Sequence, residues 1–291
     1  MDLRRRHLLA GLAAVAALPA AGCAMGVADA AAPLDLADLE ARHGADLRLF
    51  ARSGARAADW RGDKRALYAS TFKLFLAGAH LERAQQSPGW LDRTVAVTAA
   101  DLVFHAPVTG ELVGQAVTLE RLCQATVETS DNPAANILMR ELGGLEAFAG
   151  WYRSIGDTVT RVDRWETALN GPDGDKDTTT ARQAVADIET LLLGPSPRLE
   201  AAQRARLEDW LVGSANPDRI QAGAPEGWVV AHKSGTSGSG HVNDIGLLRP
   251  PSGPPVTLAV YFSGPEDLPT EQADLVVAEA TRRALAALGH G

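Results

Sequence analysis

The sequence predicts an α+β fold in two lobes, with an antiparallel sheet built from both ends of the chain and an all-helical lobe inserted between them. Three observations support this prediction. Residues 46–51 alternate polar and apolar side chains, as a half-buried strand does. Helical patterns dominate from 71 to 211, and strand-like runs followed by one helix occupy the chain after 225. A cleft between two such lobes is the expected place for a functional site.

The N-terminal residues 1–30 have the build of an export signal. A basic start is followed by an apolar stretch and by small residues, which is typical of a secretory signal and not of a membrane span. The Arg5-Arg6 pair resembles a twin-arginine signal, although an ordinary secretory signal with an extra arginine explains it equally well. The sequence AAGC at 20–23 resembles a lipoprotein cleavage site with Cys23 as the lipid-bearing residue, and cleavage near Ala30 is the alternative. We therefore expect an exported, periplasmic protein, for which a lipid on Cys23 is the one possible attachment to the membrane.

Residues 31–291 are interpreted as one two-lobed domain. The sheet lobe takes about 31–61 and 212–291, and the helical lobe takes about 62–211. A short amphipathic helix is predicted at 34–43, ahead of the first strand.

Capping residues mark two helices of the helical lobe. Thr118 is expected as the N-cap of one helix, and Cys123 as a small core residue within it. Pro133 fits the first turn of the next helix, which Gly143-Gly144 ends.

The C-terminal part predicts three strands and a helix. The runs WVVAHKSG, HVNDIGLL and VTLAVYFSG are separated by short Gly/Ser/Pro turns, so they are expected to pair as antiparallel neighbours. Pro269 and Thr270 then begin an amphipathic helix.

Composition excludes several classes of partner. The net charge is −8 and no basic cluster occurs beyond Arg4-Arg5-Arg6, which argues against nucleic acid. The seven histidines show no metal-ligand spacing, and Cys123 has no second cysteine in the mature chain. We expect a monomer without metal, cofactor or disulfide.

Ser70 and Lys73 give the first sign of chemistry. The stretch ASTFKLF places a lysine among apolar residues, where a buried ammonium is costly. On a helix, residues i and i+3 share a face, and burial lowers the pKa of a lysine so that it can act as a base beside the hydroxyl. Taken alone this pair is weak evidence, because Ser-x-x-Lys occurs by chance and a lysine can extend to solvent.

Two further motifs make the pattern specific. Ser130-Asp131-Asn132 lies in a predicted loop before Pro133, and Lys233-Ser234-Gly235-Thr236 lies at the end of a predicted strand. Together with Ser70 and Lys73, in this order, they resemble the motif set of class A β-lactamases and penicillin-binding proteins.

A fourth sequence motif distinguishes class A β-lactamases from penicillin-binding proteins. Residues 164–170, RWETALN, resemble the loop that carries the deacylating glutamate of class A β-lactamases, here Glu166, which penicillin-binding proteins lack. On this resemblance, which covers about 34–289, the chain is identified as a member of the class A serine β-lactamase family. The resemblance implies a sheet of about five strands between N- and C-terminal helices, and an ion pair between Arg164 and Asp177. A penicillin-binding protein, a D,D-peptidase or a non-catalytic penicillin sensor is the alternative.

The resemblance also implies a role for each site residue. Ser70 is the nucleophile, its proton goes to Lys73 or through a water to Glu166, and Ser130 protonates the leaving nitrogen. The backbone N–H groups of Ser70 and Thr236 are the implied oxyanion donors. The implied substrate-binding set is Asn132, Asn170, Lys233, Ser234, Gly235 and Thr236. The substrate is a β-lactam, penicillins and cephalosporins being expected, and the implied result is β-lactam resistance.

Three positions depart from the usual family pattern. The strand HVNDIGLL lacks the arginine that many members carry there, and Arg219 aligns with an alternative position, unless it is a surface arginine in a turn. His105 stands where the family usually has a tyrosine or tryptophan at the cleft edge, so an imidazole is expected to stack on substrate there or to titrate near neutral pH. Thr167 stands where family members often have a proline, and the peptide bond before that residue is often cis in the family. A threonine at this position leaves the conformation of the 166–167 peptide bond, and with it the geometry of the loop, open.

Overall fold

The computed structural model describes residues 33–194 and 196–290. The predicted export signal, with Cys23, lies outside these ranges. Over the described ranges the strands, in chain order, are β1 (Asp46–Ser53), β2 (Arg56–Trp60), β3 (Arg65–Leu67), β4 (Thr94–Ala96), β5 (Ala116–Thr118), β6 (Thr178–Thr180), β7 (Val229–Ser237), β8 (His241–Arg249) and β9 (Val256–Ser263). The α-helices are α1 (Ala37–His43), α2 (Phe72–Gln86), α3 (Leu119–Glu128), α4 (Asn132–Leu142), α5 (Leu145–Ser154), α6 (Ala181–Leu192), α7 (Ala201–Val212), α8 (Ile220–Gly223) and α9 (Thr270–Ala287).

Five strands form one antiparallel sheet in the order β2-β1-β9-β8-β7. The three C-terminal strands are consecutive neighbours, as their short connections predict, and β1 inserts beside β9 with Asp46 opposite Ser263. This arrangement confirms the predicted α+β fold with an antiparallel five-stranded sheet fed by both ends of the chain.

The two faces of the sheet border two hydrophobic cores. Helices α1 and α9 cover one face, where Leu47 and Leu49 of β1 pack with Val277 and Leu285 of α9. On the other face α6 packs against the sheet, and Phe50 enters the core of the helical region. Strand β1 was predicted to be half buried, but both of its faces are covered because helices lie on either side of the sheet.

The capping predictions are confirmed. Thr118 accepts a hydrogen bond from the backbone N–H of Arg121 at the start of α3, and Cys123 is a buried free thiol in that helix. Pro133 lies in the first turn of α4, and Gly143 follows that helix with φ of 117°.

Short strands within the helical region were not predicted. Strand β3 pairs with β6 and β4 pairs with β5, each over three residues. The β3–β6 ladder fixes the chain ahead of α2 beside the end of the loop that precedes α6. No helix within 33–194 or 196–290 is long and apolar enough to cross a membrane.

Candidate active site

Ser70 and Lys73 lie where a short 3-10 turn, Ala69–Thr71, runs into α2. Residues 72–82 of this helix are buried on every face, because apolar side chains surround the helix axis. Lys73 consequently has no exposed surface, and its Nζ lies 3.0 Å from Ser70 Oγ. The i, i+3 spacing thus places an amine against a buried hydroxyl.

Lys73 is surrounded by oxygen atoms. Its Nζ donates to the backbone carbonyl of Ser130 at 2.8 Å and to Asn132 Oδ1, and it lies 3.1 Å from Glu166 Oε1. Burial lowers the pKa of Lys73, although the Glu166 carboxylate acts in the opposite direction. Glu166 Oε1 is also 3.5 Å from Ser70 Oγ, so the hydroxyl faces both the amine and the carboxylate.

The Ser130 hydroxyl lies between two amines. Lys233 Nζ is 3.2 Å from Ser130 Oγ, and Lys73 Nζ is 3.4 Å from it. Burial and the Lys73 ammonium lower the pKa of Lys233 to about 7. Ser130 has a φ of 60°, a conformation that non-glycine residues seldom adopt and that is found often at functional sites. Its hydroxyl is therefore held where it can pass a proton.

The loop of residues 161–177, hereafter the Glu166 loop, is closed at its base. Arg164 Nε lies 2.5 Å from Asp177 Oδ2, and the other oxygen of Asp177 accepts the backbone N–H groups of Asp163 and Arg164. The Glu166-Thr167 peptide bond is cis. Asn170 Nδ2 donates to Glu166 Oε2 at 2.6 Å, so the two side chains project together towards Ser70.

Strand β7 approaches the Ser70 turn closely at Gly235. A Cβ atom at this position would lie 3.0 Å from the backbone nitrogen of Ser70 and 3.0 Å from the carbonyl oxygen of Tyr68. Glycine therefore lets the backbone of β7 pass beside Ser70. The cavity in front of these groups has a volume of about 540 Å³, and its lining includes Ser70, Ser130, Asn132, Asn170, Lys233, Ser234, Thr236 and His105.

Comparison with known proteins agrees with this geometry. The Beta-lactamase enzyme family matches residues 35–288. The chain belongs to the class A β-lactamase family. Similar relatives include "Beta-lactamase AST-1" of Nocardia asteroides, 38% identical over 98% of this chain and 96% of the relative. "Carbapenem-hydrolyzing beta-lactamase KPC" of Klebsiella oxytoca is 38% identical over 87% of each chain. The solved "Class A beta-lactamase from Mycobacterium abscessus" superposes with a TM-score of 0.83 at 38% identity, covering 87% of this chain and 98% of that one. This β-lactamase is therefore an enzyme that hydrolyses β-lactams.

Arg219 of the β-lactamase is a buried residue at the cleft and not a surface arginine. Only 1% of it is exposed, and its Nη2 donates to Thr236 Oγ1 at 2.7 Å. Asp274 of α9 holds the guanidinium through Nε at 2.6 Å, while the carbonyls of Gly235 and Asn243 accept from Nη1. The guanidinium thus backs the end of the cleft where Thr236 lies.

His105 lies at the edge of the cleft. Its Nε2 is 2.9 Å from the carbonyl oxygen of Thr129, and its own carbonyl accepts the backbone N–H of Asn132. Asn132 Nδ2 donates to the carbonyl of Phe104, so the His105 segment and the first residue of α4 are tied together. Because Asn132 also contacts Lys73, the cleft edge and the catalytic interior share one residue.

Sequence reasoning missed several residues that position this site. Asn136 makes two hydrogen bonds to the backbone of Glu166, at 3.0 Å to its N–H and 2.9 Å to its carbonyl. Asp131, which the sequence motif includes without assigning it a role, caps α4 and accepts a hydrogen bond from Thr109. Asn243 Nδ2 donates to the carbonyl of Leu67, just before the Ser70 turn. Asn136 and Asn243 each bind a residue far away in the chain, and nothing in the neighbouring sequence indicates that partner.

Proposed function

We propose that this enzyme is exported and hydrolyses penicillins and cephalosporins through an acyl-enzyme on Ser70, with a water activated by Glu166 completing the turnover. One observation supports the proposal most strongly. Ser70 Oγ lies 3.0 Å from Lys73 Nζ and 3.5 Å from Glu166 Oε1. A nucleophile needs a nearby base, and hydrolysis of the ester that forms again needs a base to activate the water.

In acylation, the proton that leaves Ser70 enters the Lys73–Glu166 pair. Nζ and Oε1 are 3.1 Å apart and both face the hydroxyl, so either can receive the proton, directly or through water. Burial supports this step because it lowers the pKa of Lys73 and favours the neutral amine. Ser70 Oγ then attacks the lactam carbonyl carbon, and the backbone N–H groups of Ser70 and Thr236 stabilise the oxyanion.

Ser130 supplies the proton that the leaving nitrogen needs. Its hydroxyl lies within 3.4 Å of Lys73 Nζ and 3.2 Å of Lys233 Nζ, so it can give its proton to the lactam nitrogen and be reprotonated from Lys73. The C–N bond breaks as this proton arrives, and the ester on Ser70 remains.

The substrate carboxylate binds at the β7 end of the cleft. Lys233, Ser234 and Thr236 supply the cation and hydroxyl groups there, and Arg219 adds a guanidinium that contacts the Thr236 hydroxyl. Asn132 receives the amide of the substrate side chain, and His105 forms the rim beside it.

In deacylation, Glu166 takes a proton from the attacking water, which Asn170 helps to hold. The water oxygen bonds to the ester carbonyl carbon, the bond from that carbon to Ser70 Oγ breaks, and Ser70 Oγ takes up a proton from Glu166. Asn170 Oδ1 is buried and has no hydrogen-bond partner among the described residues, so it can accept from that water while Nδ2 fixes the Glu166 carboxylate. Arg164 and Asp177 keep the loop that carries both residues closed.

Replacement of Glu166 by alanine tests the proposal. The variant Glu166→Ala should still be acylated by a penicillin, so intact-protein mass spectrometry should find the penicilloyl adduct, while steady-state turnover of a chromogenic cephalosporin falls by at least about 100-fold, the usual contribution of a general base. Glu226→Ala, an exposed position, is the matched control and should retain wild-type turnover. Efficient turnover by Glu166→Ala would remove Glu166 from this role.

Export and a monomeric state belong to the same proposal. Residues 1–30 support export through their basic start and apolar stretch. The intact mass of the mature protein from a periplasmic or membrane fraction would give the cleavage site and reveal a lipid on Cys23, and light scattering would give the oligomeric state.

A further inference from the structure

The hairpin between β7 and β8 carries a group of polar side chains that the proposed mechanism does not use. Ser237 Oγ is 2.8 Å from Ser239 Oγ, and His241 Nδ1 is 3.1 Å from Ser239 Oγ and 3.3 Å from Ser237 Oγ. Ser239 is the member of this group that reaches the Glu166 loop, because its hydroxyl donates to the carbonyl oxygen of Asn170 at 3.3 Å.

The direction of this hydrogen bond follows from proton counting. A carbonyl oxygen can only accept, so the Ser239 hydroxyl is the donor in its hydrogen bond to Asn170. Ser239 Oγ then accepts from the Ser237 hydroxyl or from His241 Nδ1, either of which can donate. The polar group therefore orients the Ser239 hydroxyl towards the Glu166 loop.

The hairpin that presents Ser239 is anchored on its other side. Gly240 has a φ of 75°, and its carbonyl accepts the backbone N–H of Gly264 at 2.9 Å. A Cβ at Gly240 would lie 2.2 Å from the carbonyl oxygen of Gly264, so this contact requires glycine. Ser239 is thus held between the end of β9 and the Glu166 loop.

We infer that Ser239 is a positioning residue for deacylation, acting through the peptide group of Asn170. The Asn170 backbone is held by Ser239, and the Asn170 side chain holds Glu166 Oε2 at 2.6 Å. Loss of the Ser239 hydroxyl removes the hydrogen bond to the Asn170 carbonyl, so the Asn170 side chain shifts and the water between Asn170 and Glu166 is disturbed. Acylation can proceed with Lys73 as the base and Ser130 as the acid, and neither side chain contacts Ser239 or Asn170, so we expect its rate to be unchanged. This inference rests on the proposed acyl-enzyme mechanism.

The test separates the acylation and deacylation rate constants. Four proteins are compared: wild type, Ser239→Ala, Ser239→Thr and the control Ser252→Ala, which lies in an exposed turn. Each is mixed with a β-lactam for which the wild type shows a pre-steady-state burst. Quenched-flow mass spectrometry gives the acylation rate and the acylated fraction at steady state. Ser239→Ala should deacylate about two- to tenfold more slowly, the rate equivalent of one hydrogen bond, and should accumulate more adduct at an unchanged acylation rate. Ser239→Thr, which retains the hydroxyl, should deacylate as the wild type does.

Each other outcome overturns the inference. Equal deacylation by Ser239→Ala and wild type would mean that the hydroxyl does not act on Asn170. A parallel loss of acylation and deacylation, or no recovery in Ser239→Thr, would indicate a general disturbance of the hairpin. If none of the β-lactams that the wild type hydrolyses gave an acyl group on Ser70, the proposed function would fail as well, so the two failures are distinguishable.

Discussion

Replacing Asp187 by asparagine should make the stability of this β-lactamase less dependent on pH. Asp187 of α6 and Asp157, which follows α5, are 2% and 0% exposed. Burial and the neighbouring Asp157 carboxylate raise the pKa of Asp187 to about 9. Asp157 Oδ1 accepts the backbone N–H groups of Val159 and Thr160, while Oδ2 is buried and receives no hydrogen bond from an N–H or hydroxyl group of the described residues. A proton on Asp187 gives that oxygen a donor.

The sign of the effect follows from proton binding. Asp187 has an ordinary pKa of 3.8 in the unfolded chain and about 9 in the folded protein, so between these values the folded state binds one proton more. The free energy of unfolding therefore falls as pH rises, by at most about 1.4 kcal/mol per pH unit. Between pH 5 and pH 8 the contribution lost is up to about 4 kcal/mol. Asparagine cannot ionise and still offers an N–H donor to Asp157, so Asp187→Asn should lack this slope.

Urea unfolding at pH 5, 6.5 and 8 provides the assay. The difference in free energy of unfolding between Asp187→Asn and wild type should shift in favour of the variant from pH 5 to 6.5 and again from pH 6.5 to 8, so that it favours the variant most at pH 8. Asp209→Asn, an exposed position on α7, shows what the same chemical change does in water. A stability difference between Asp187→Asn and wild type that is the same at pH 5 and pH 8, or that the control reproduces, would refute a shared proton between the two carboxyl groups.

Two further predictions concern buried bases. Burial lowers the pKa of His80 to about 4 from 6.5, so between these values the unfolded chain binds more protons, and the free energy of unfolding should drop by about 3 kcal/mol as pH falls from 6.5 to 4. In His80→Gln, whose amide can still accept from Trp90, acid unfolding should lack this pH dependence. The same slope of unfolding free energy against pH in His80→Gln and wild type would contradict the prediction. Lys233 has a pKa of about 7, so above that pH it should lose its charge and stop polarising Ser130, and kcat/KM should decline. Arginine stays charged over this range, so kcat/KM of Lys233→Arg should be the same at pH 9 as at pH 7. A pH profile of kcat/KM that is the same for both proteins would count against Lys233.

Elements whose sequence patterns lie within a few neighbouring residues could be predicted from the sequence. Three consecutive apolar runs with short turns leave antiparallel pairing as the simple solution, and the β7–β8–β9 order follows from them. Caps such as Thr118 depend on neighbours within four residues. The catalytic motifs are also short, and each lies at the end of an element, so a resemblance over a few residues locates Ser70, Ser130 and Lys233 within the fold.

Features that depend on distant contacts could not be predicted in this way. The three-residue strands β4 and β6 are too short to display an alternating pattern. Phe50 is buried because α6, more than 130 residues later in the chain, covers its face of β1. Asn136 binds the Glu166 backbone across 30 residues, and nothing around Asn136 in the sequence indicates that partner. The identity of a long-range hydrogen-bond partner is a property of the folded chain.

The buried lysine of ASTFKLF can now be explained by the same long-range contacts. An unpaired ammonium inside a protein is strongly destabilising, but Lys73 faces oxygens from Ser70, Ser130, Asn132 and Glu166. These oxygens come from the Ser70 turn, from the end of the α3–α4 loop with the first residue of α4, and from the Glu166 loop, so the ammonium is stabilised only when all three segments are in place. The groups that offset its burial are also those that the proposed mechanism uses to move protons. Folding of the helical region and assembly of the proton-transfer site therefore depend on the same set of contacts.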